Sequence, residues 1–494
     1  MLFNSTDFLI FFTIICFAYF LFPVKYRNYL LLAGSYYFYM CWKVEYVFLI
    51  VFSTLIDYFC ARGMGKYKDK KTKKWFLIAS LTGNLGLLFI FKYFNFFSHA
   101  FGDILNNLNV AYESPALKLL LPVGISFYTF QTLSYTLDVY RGERKPEKDF
   151  VIFAVYVSYF PQLVAGPIER STHLMPQFHR HVKFNFSRLL IGLVLIMWGF
   201  FMKLVIADNA AEYVNTVYGS VNQYDGQHFV LGTLLFCYQI FCDFAGYSSI
   251  AIGTAKIMGI DMMQNFRRPY FARSIQGFWR RWHISLSTWF KDYLYIPLGG
   301  NRRGRLMTLL NTLLVFLVSG LWHGANWTFI IWGGLHGVAI TIESLYKKIM
   351  SRFNFKCKDA KLIIWSTAAF EICLTFILIN LSWVFFRSAS LDDAFAIFKK
   401  IYHTPQTFSF NLSSFSNLIL PFTKDYRSLS FFITVIAFIM ILETVHLIQE
   451  KEHPLFFHYW RSKAWPKIIT IYLLIFVIIF FGKFDSNSFI YFQF

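Results

Sequence analysis

YVFLIVFSTLIDYFCA (46–61), RGMGKYKDKKTKK (62–74) and WFLIASLTGNLGLLFIFKYF (75–94) follow one another without a gap, and their order decides the fold. A helix rises about 1.5 Å per residue, so about 20 apolar residues cross the roughly 30 Å of hydrocarbon in a bilayer. The two outer runs are of that kind. Between them Arg62, Lys66, Lys68, Lys70, Lys71, Lys73 and Lys74 crowd one short loop. Cations in short loops are retained on the cytoplasmic side of a membrane. The stretch therefore reads as two membrane helices joined inside the cell.

The pattern extends in both directions. Further apolar runs cover about 6–22, 28–42, 117–139, 188–206, 229–258, 306–345 (two passes), 361–386, 430–449 and 467–482. The segments 140–149, 260–305, 346–361 and 450–467 are basic, whereas 95–116 and 208–228 hold no Lys or Arg. Counting crossings from an N-terminus outside the cytoplasm puts every basic loop inside and both of those loops outside. The tail from about Gly482 then lies outside as well. The predicted fold is all-α, a polytopic membrane protein of about 11–12 transmembrane helices. It reads as a single domain over 1–494, with a core at about 100–390 and a C-terminal pair of spans at about 430–482. Residues 150–170, interrupted by Pro161, Gln162, Gly166 and Pro167 between basic loops, read as a segment that enters and leaves on one face. Non-helical backbone at that depth is tolerated only inside protein or beside a polar cavity.

Composition supports this. Of 494 residues 56% are apolar and only 15% charged, where a soluble domain carries about a quarter. The net charge of +20 sits in the short loops between spans, so no nucleic-acid partner is expected; the bilayer is. Six of the seven Cys fall in apolar runs and Cys357 in a basic loop, with no disulfide framework and no metal-type CxxC. The first apolar run lacks a basic leader and a small-residue cleavage site, and reads as a retained span. No Walker loop, HExxH, GxSxG or dinucleotide fingerprint is present, and no metal site is expected.

Three segments carry candidate chemistry. In FWRRWHISLSTWFKDYLYIPLGG (278–300), Phe278, Trp282, Leu286, Trp289, Tyr293 and Ile296 recur at helical spacing, beside Arg280, Ser287 and Lys291. This predicts one amphipathic helix in the membrane interface, ended by Pro297 and Gly299–Gly300. His283 falls beside Trp279, Ser287 and Phe290 on it; it is either a functional group or an incidental part of an anchor. In LWHGANWTFIIWGGLHG (321–337), His323 lies in an apolar hairpin between Gly320 and Gly324, a small-xxx-small spacing for close helix approach. An ionisable group in a span is a functional candidate by default, and imidazole suits acid–base work near neutral pH. The alternative is a packed histidine with one interhelical hydrogen bond. His336, among Gly333, Gly334 and Gly337, ranks third. In YQIFCDFAGYSSIAIG (238–253), Asp243 must be paired, protonated or solvated; a structural pair with an Arg competes with a role in the site. Asp57, Glu371 and Glu443 are weaker cases.

PQLVAGPIER (161–170), FWRRWHISLSTWFKDYLYIPLGG and LWHGANWTF (321–329) together resemble the membrane-bound O-acyltransferase family, in the bacterial branch typified by the membrane subunit of alginate O-acetyltransferase. The resemblance runs from about residue 1 to the final FIYFQF. It implies that His323 is the principal catalytic residue and His283 the second. It also implies re-entrant and interfacial helices around a central funnel, with a donor on the cytoplasmic face and an acceptor on the other. The donor expected is acetyl-CoA, with no bound cofactor. The acceptor expected is an exported polysaccharide such as alginate, or peptidoglycan, or a periplasmic acetyl-relay partner of SGNH type. The location expected is the bacterial inner membrane. Arg280, Arg281 and Lys291 suit an anionic donor, although lipid head groups explain them equally well. Trp282, Trp322 and Asn326, in the same motifs, and Asp243 complete the candidate substrate-binding set. Relatives often carry an acidic residue where this chain has Ser249. D-alanyl or other acyl transfer to an envelope polymer, a transporter and a non-catalytic scaffold are the alternatives.

Overall fold

The computed structural model describes residues 1–110, 112–351, 361–407, 412–422, 428–450, 463–484 and 489–490. Cys357, the basic segments 352–360 and 451–462, and the terminal motif beyond Ile490 lie outside the described residues. Among those described there is no strand. Among the described residues eight helices are long and apolar enough to cross a membrane, and two shorter apolar helices, Thr6–Leu21 and Trp465–Phe481, accompany them. The protein is thus an all-α, multi-pass membrane protein. Its contacts group the chain into two compact units.

The first unit comprises the described residues of 1–196 and 247–264. It opens with α1 (Thr6–Leu21), α2 (Val24–Met40), α3 (Val47–Lys66), α4 (Lys70–Leu88) and α5 (Phe94–Asn107), the last two joined by a π turn at Phe89–Tyr93. Asp69 caps α4, accepting from Thr72 N at 2.7 Å, so the basic loop of the opening motif ends where the next helix begins. The run expected as a span at 117–139 is helical only from Ile125, in α6 (Ile125–Arg141). Gly124, at φ +78°, turns the chain there, and a Cβ on it would stand 2.5 Å from the Leu163 carbonyl oxygen. That near contact requires glycine. The 150–170 stretch is short helix α7 (Phe150–Ser158) followed by buried non-helical backbone, as its prolines require, and then α8 (Ser171–Phe178). Glu169 of this stretch accepts from Met263 N and contacts His173 Nδ1 at 2.8 Å, anchoring its end.

The second unit comprises the described residues of 197–246 and 265–490. Helix α9 (Phe186–Phe200) begins in the first unit; beyond it a π turn at Phe201–Ala207 leads into α10 (Asp208–Tyr218). Helix α11 (Gly226–Ile257) begins in the second unit and ends in the first. These two spans are the most enclosed, with 67% and 72% of their apolar windows buried by protein, against 17% for Lys70–Asn107. Lipid tails are as apolar as leucine, so enclosure comes from close packing. Within the second unit Gly246 serves that: its Cβ would meet the Gly199 carbonyl at 2.8 Å.

Helices α12 (Ile275–Trp279), α13 (Ile284–Phe290), α14 (Arg305–His323), α15 (Trp327–Met350) and α16 (Lys361–Arg387) follow. Last come α17 (Leu391–Thr407), α18 (Leu412–Ile419), α19 (Ser428–Glu450) and α20 (Trp465–Phe481). The two passes expected at 306–345 are α14 and α15, and the C-terminal pair is α19 and α20. One expectation needs correction. Residues 278–300 do not form a single amphipathic helix. The chain breaks between α12 and α13, and after Phe290 it winds into a π turn at Lys291–Tyr295. Phe278, Trp282 and Leu286 are buried, while Ile296 is 46% exposed.

Candidate active site

The break has a local cause. His283 adopts φ +43° and ψ 54°, the left-handed region, directly before α13. Arg268 adopts φ +47°. The two irregular strips are cross-braced. Arg267 N donates to Arg281 O at 2.9 Å and Ile284 N to Asn265 O at 2.9 Å. The Asn265 Oδ1 accepts from Ser285 Oγ at 2.7 Å and Ser285 N at 3.3 Å. Glu450, the last residue of α19, closes the outer side: it pairs with Arg268 Nε at 2.6 Å and Arg281 Nη2 at 2.8 Å. The result turns His283 inward, where it is fully buried. That burial holds its imidazole well below the ordinary histidine value, so the ring is neutral at pH 7.

His323 is the last residue of α14, and Gly324 ends the helix in extended backbone at φ −163°. A Cβ on Gly324 would stand 2.2 Å from the Phe329 ring. Across the hairpin Gly320 and Gly333 face backbone carbonyls, of Phe329 and Phe316, at 2.2 Å from any added Cβ. The helices are thus as close as glycine allows, which fixes the depth of His323. Its imidazole, 3% exposed, lies 6.3 Å from that of His283, centroid to centroid. The Trp322 ring contacts both, at 5.8 Å from His283 and 5.0 Å from His323. Trp332 and Phe386 complete the wall at 5.1 and 5.4 Å from His323, and Phe244 stands 4.7 Å from His283. The indole N–H groups of Trp332 and Trp383 are buried with no hydrogen-bond acceptor among the described residues.

An adjacent cavity of about 460 Å³ is lined mainly by apolar groups of α12, α13, α14 and the π turn. Exposed Gln276, Arg280 and Lys291 mark its open side, and Trp279, Phe290 and Ser319 of its lining are buried. Ser319 lies one helical turn before His323 on α14.

The structure gathers His283, His323 and Trp322 and places Arg280 on the cavity. Trp282 packs as a fully buried ring among Phe266, Phe278 and Trp383 at 5.0 to 5.4 Å. Three other candidates are engaged by the chain itself. Arg281 is held by Glu450. Asn326 caps α15, accepting from Thr328 N at 3.0 Å and donating to Ala389 O at 3.1 Å. Asp243 pairs with Lys203 at 2.5 Å, not with an arginine, and its second oxygen accepts from Ile490 N at 2.7 Å. Lys203 also pairs with Asp208 at 2.9 Å, under the ring of Phe489. Sequence reading missed Asn265, whose surrounding residues give no signal, and Glu450, which lies 169 residues from Arg281.

Two buried imidazoles thus share one aromatic wall, and Ser319, one turn before His323, lines a cavity with Arg280 and Lys291 among its exposed residues. Residues 148–386 match the membrane-bound O-acyltransferase family. The chain is 38% identical over 405 residues to the probable alginate O-acetylase AlgI of Azotobacter vinelandii, covering 81% of this chain and 78% of that protein. The chain belongs to the membrane-bound O-acyltransferase family. It is an O-acyltransferase. Over 504 residues it is 34% identical to the peptidoglycan O-acetyltransferase of Helicobacter pylori, covering 94% of this chain and 91% of that protein. The teichoic acid D-alanyltransferase of Bacillus subtilis is a more distant relative of this O-acyltransferase, 27% identical over 304 residues, 58% of this chain and 73% of that protein.

Proposed function

We propose that this O-acyltransferase moves an acetyl group from acetyl-CoA on the cytoplasmic side of the bacterial inner membrane to an exported polysaccharide. The acceptor hydroxyl belongs to a glycan such as alginate or peptidoglycan, or to a periplasmic SGNH-type partner that completes the transfer. The chain has its N-terminus outside. One observation carries this reading: the apolar cavity with Arg280 and Lys291 on its open side reaches Ser319, one turn from buried His323. Cations suit the phosphates of the donor, and the apolar interior suits its thioester arm. The relatives named for alginate and peptidoglycan support a polysaccharide acceptor.

In this reading His323 accepts the proton of the acceptor hydroxyl as its oxygen attacks the thioester carbonyl carbon. The C–O bond forms, the C–S bond breaks, and the proton passes from His323 to the departing thiolate. General-base help of this kind is worth about 10²–10⁴-fold. His283 orients the reactants across Trp322. The buried indole donors of Trp332 and Trp383 are suited to the charge that develops on the carbonyl oxygen. The test is His323→Ala at equal protein abundance, reading acetyl ester on the exported glycan of cells. A loss of about 100-fold or more is expected. Ester at the wild-type level overturns the assignment.

A further inference from the structure

We propose that Trp279, locked by His336 and Ser382, is the specificity-determining residue that restricts the acyl group to a short one. The inference rests on reading the cavity as the donor site and names the feature of the donor that the site selects.

Trp279 is a buried residue of the cavity lining. Behind it the space is filled ring against ring. Trp332 lies 5.7 Å from Trp279, Trp383 stacks on Trp332 at 5.6 Å, and Trp332 stands 5.1 Å from His323. All three tryptophans are at least 93% buried. A thioester carbonyl that reaches His323 from the cavity therefore carries its alkyl end into this aromatic block. An acetyl methyl fits such a place. A longer chain has to displace a ring from an interior packed like a crystal.

Trp279 is not free to give way. Its Nε1–H donates to His336 Nδ1 at 3.4 Å, and the ring stands edge-on to His336 at 5.1 Å. With Nδ1 accepting, His336 has its donor at Nε2, which faces Ser382 Oγ at 3.1 Å. The Ser382 hydroxyl in turn donates to Ile379 O at 2.7 Å. Every proton in this chain has one consistent direction, and rotating Trp279 breaks it at the first link. His336, separated from His323 by the Trp332 ring, thereby acts as a positioning residue. Of this relay only Trp279 falls within the motifs quoted for the family; His336 and Ser382 lie outside them.

The experiment measures binding of two unreactive thioethers, S-ethyl-CoA and S-hexyl-CoA, to the full-length protein in lipid nanodiscs. The wild type is expected to bind the ethyl compound more tightly. Trp279→Leu is expected to shift the hexyl-to-ethyl affinity ratio about tenfold or more toward hexyl, since four added methylenes gain contact. His336→Ala and Trp279→Phe, which keep the ring but cut the link, shift it less in the same direction. His336→Gln, which can accept from Trp279 and donate to Ser382, restores the wild-type ratio. An unaltered ratio in Trp279→Leu and Trp279→Phe overturns the proposal and leaves the donor reading intact. Binding of neither thioether by the wild type overturns the donor reading itself.

Discussion

The left-handed backbone at His283 costs about 1–3 kcal/mol for a residue other than glycine, and Asn265 is the side chain that sustains it. One amide oxygen receives both the hydroxyl and the N–H of Ser285. Asn265→Ala leaves these buried donors without that acceptor, and a loss of about 1–3 kcal/mol of stability is expected. Asn265→Asp keeps the acceptor and is expected to melt closer to the wild type. Thermal melting in detergent, paired with ester formation in cells, checks both. Equal melting of Asn265→Ala and the wild type would contradict the brace. The sequence made His283 legible as a residue in a motif, because ionisable groups stand out in an apolar chain. Its backbone was not legible. No glycine or proline marks the break, and the hydrogen bonds that force it come from residues about 20 positions away.

Helices α14 and α15 were legible as a hairpin for the opposite reason: small residues at fixed spacing announce close approach. The structure gives that spacing a sharper meaning. A Cβ at Gly333 would meet the α14 backbone twice, the Phe316 carbonyl at 2.2 Å and Gly320 Cα at 3.1 Å, whereas one at Gly334 meets only a Leu317 methyl at 3.4 Å. Gly333→Ala is expected to cost about 1–3 kcal/mol by overpacking and to lower ester formation by moving His323. Gly334→Ala is expected to fall within about 0.5 kcal/mol of the wild type. Comparable effects of the two substitutions, measured by melting and ester assay, would refute this account. The 150–170 segment was also read from its prolines. In contrast, the periodicity of 278–296 satisfied a continuous helix that the turn at 280–283 interrupts, since a stripe of aromatic residues suits either arrangement.

Across the whole molecule the apolar runs are local signals, which is why the membrane fold could be read from composition and loop charge alone. Partnerships between distant residues could not. Asp243 demanded a partner, but that partner is a lysine 40 residues upstream within another apolar run. Lys203 balances two buried carboxylates, so Lys203→Met is expected to destabilise the protein by about 3–5 kcal/mol. Adding Asp243→Asn removes one stranded charge and is expected to recover part of that loss, a non-additive result that a double-mutant melting cycle measures. Strict additivity would argue against the ion-pair network. Glu450 extends the same theme into the making of the protein. Arg281 leaves the ribosome 169 residues before the carboxylate that holds it, and Arg268 182 residues before. At about 5–20 residues per second, the turn that aims His283 waits on the order of ten to thirty seconds for its last brace. The site is therefore among the final parts of the nascent chain to be completed, and a ribosome that stalls before α19 releases a membrane protein with its motifs in place and its inward-facing histidine unsecured.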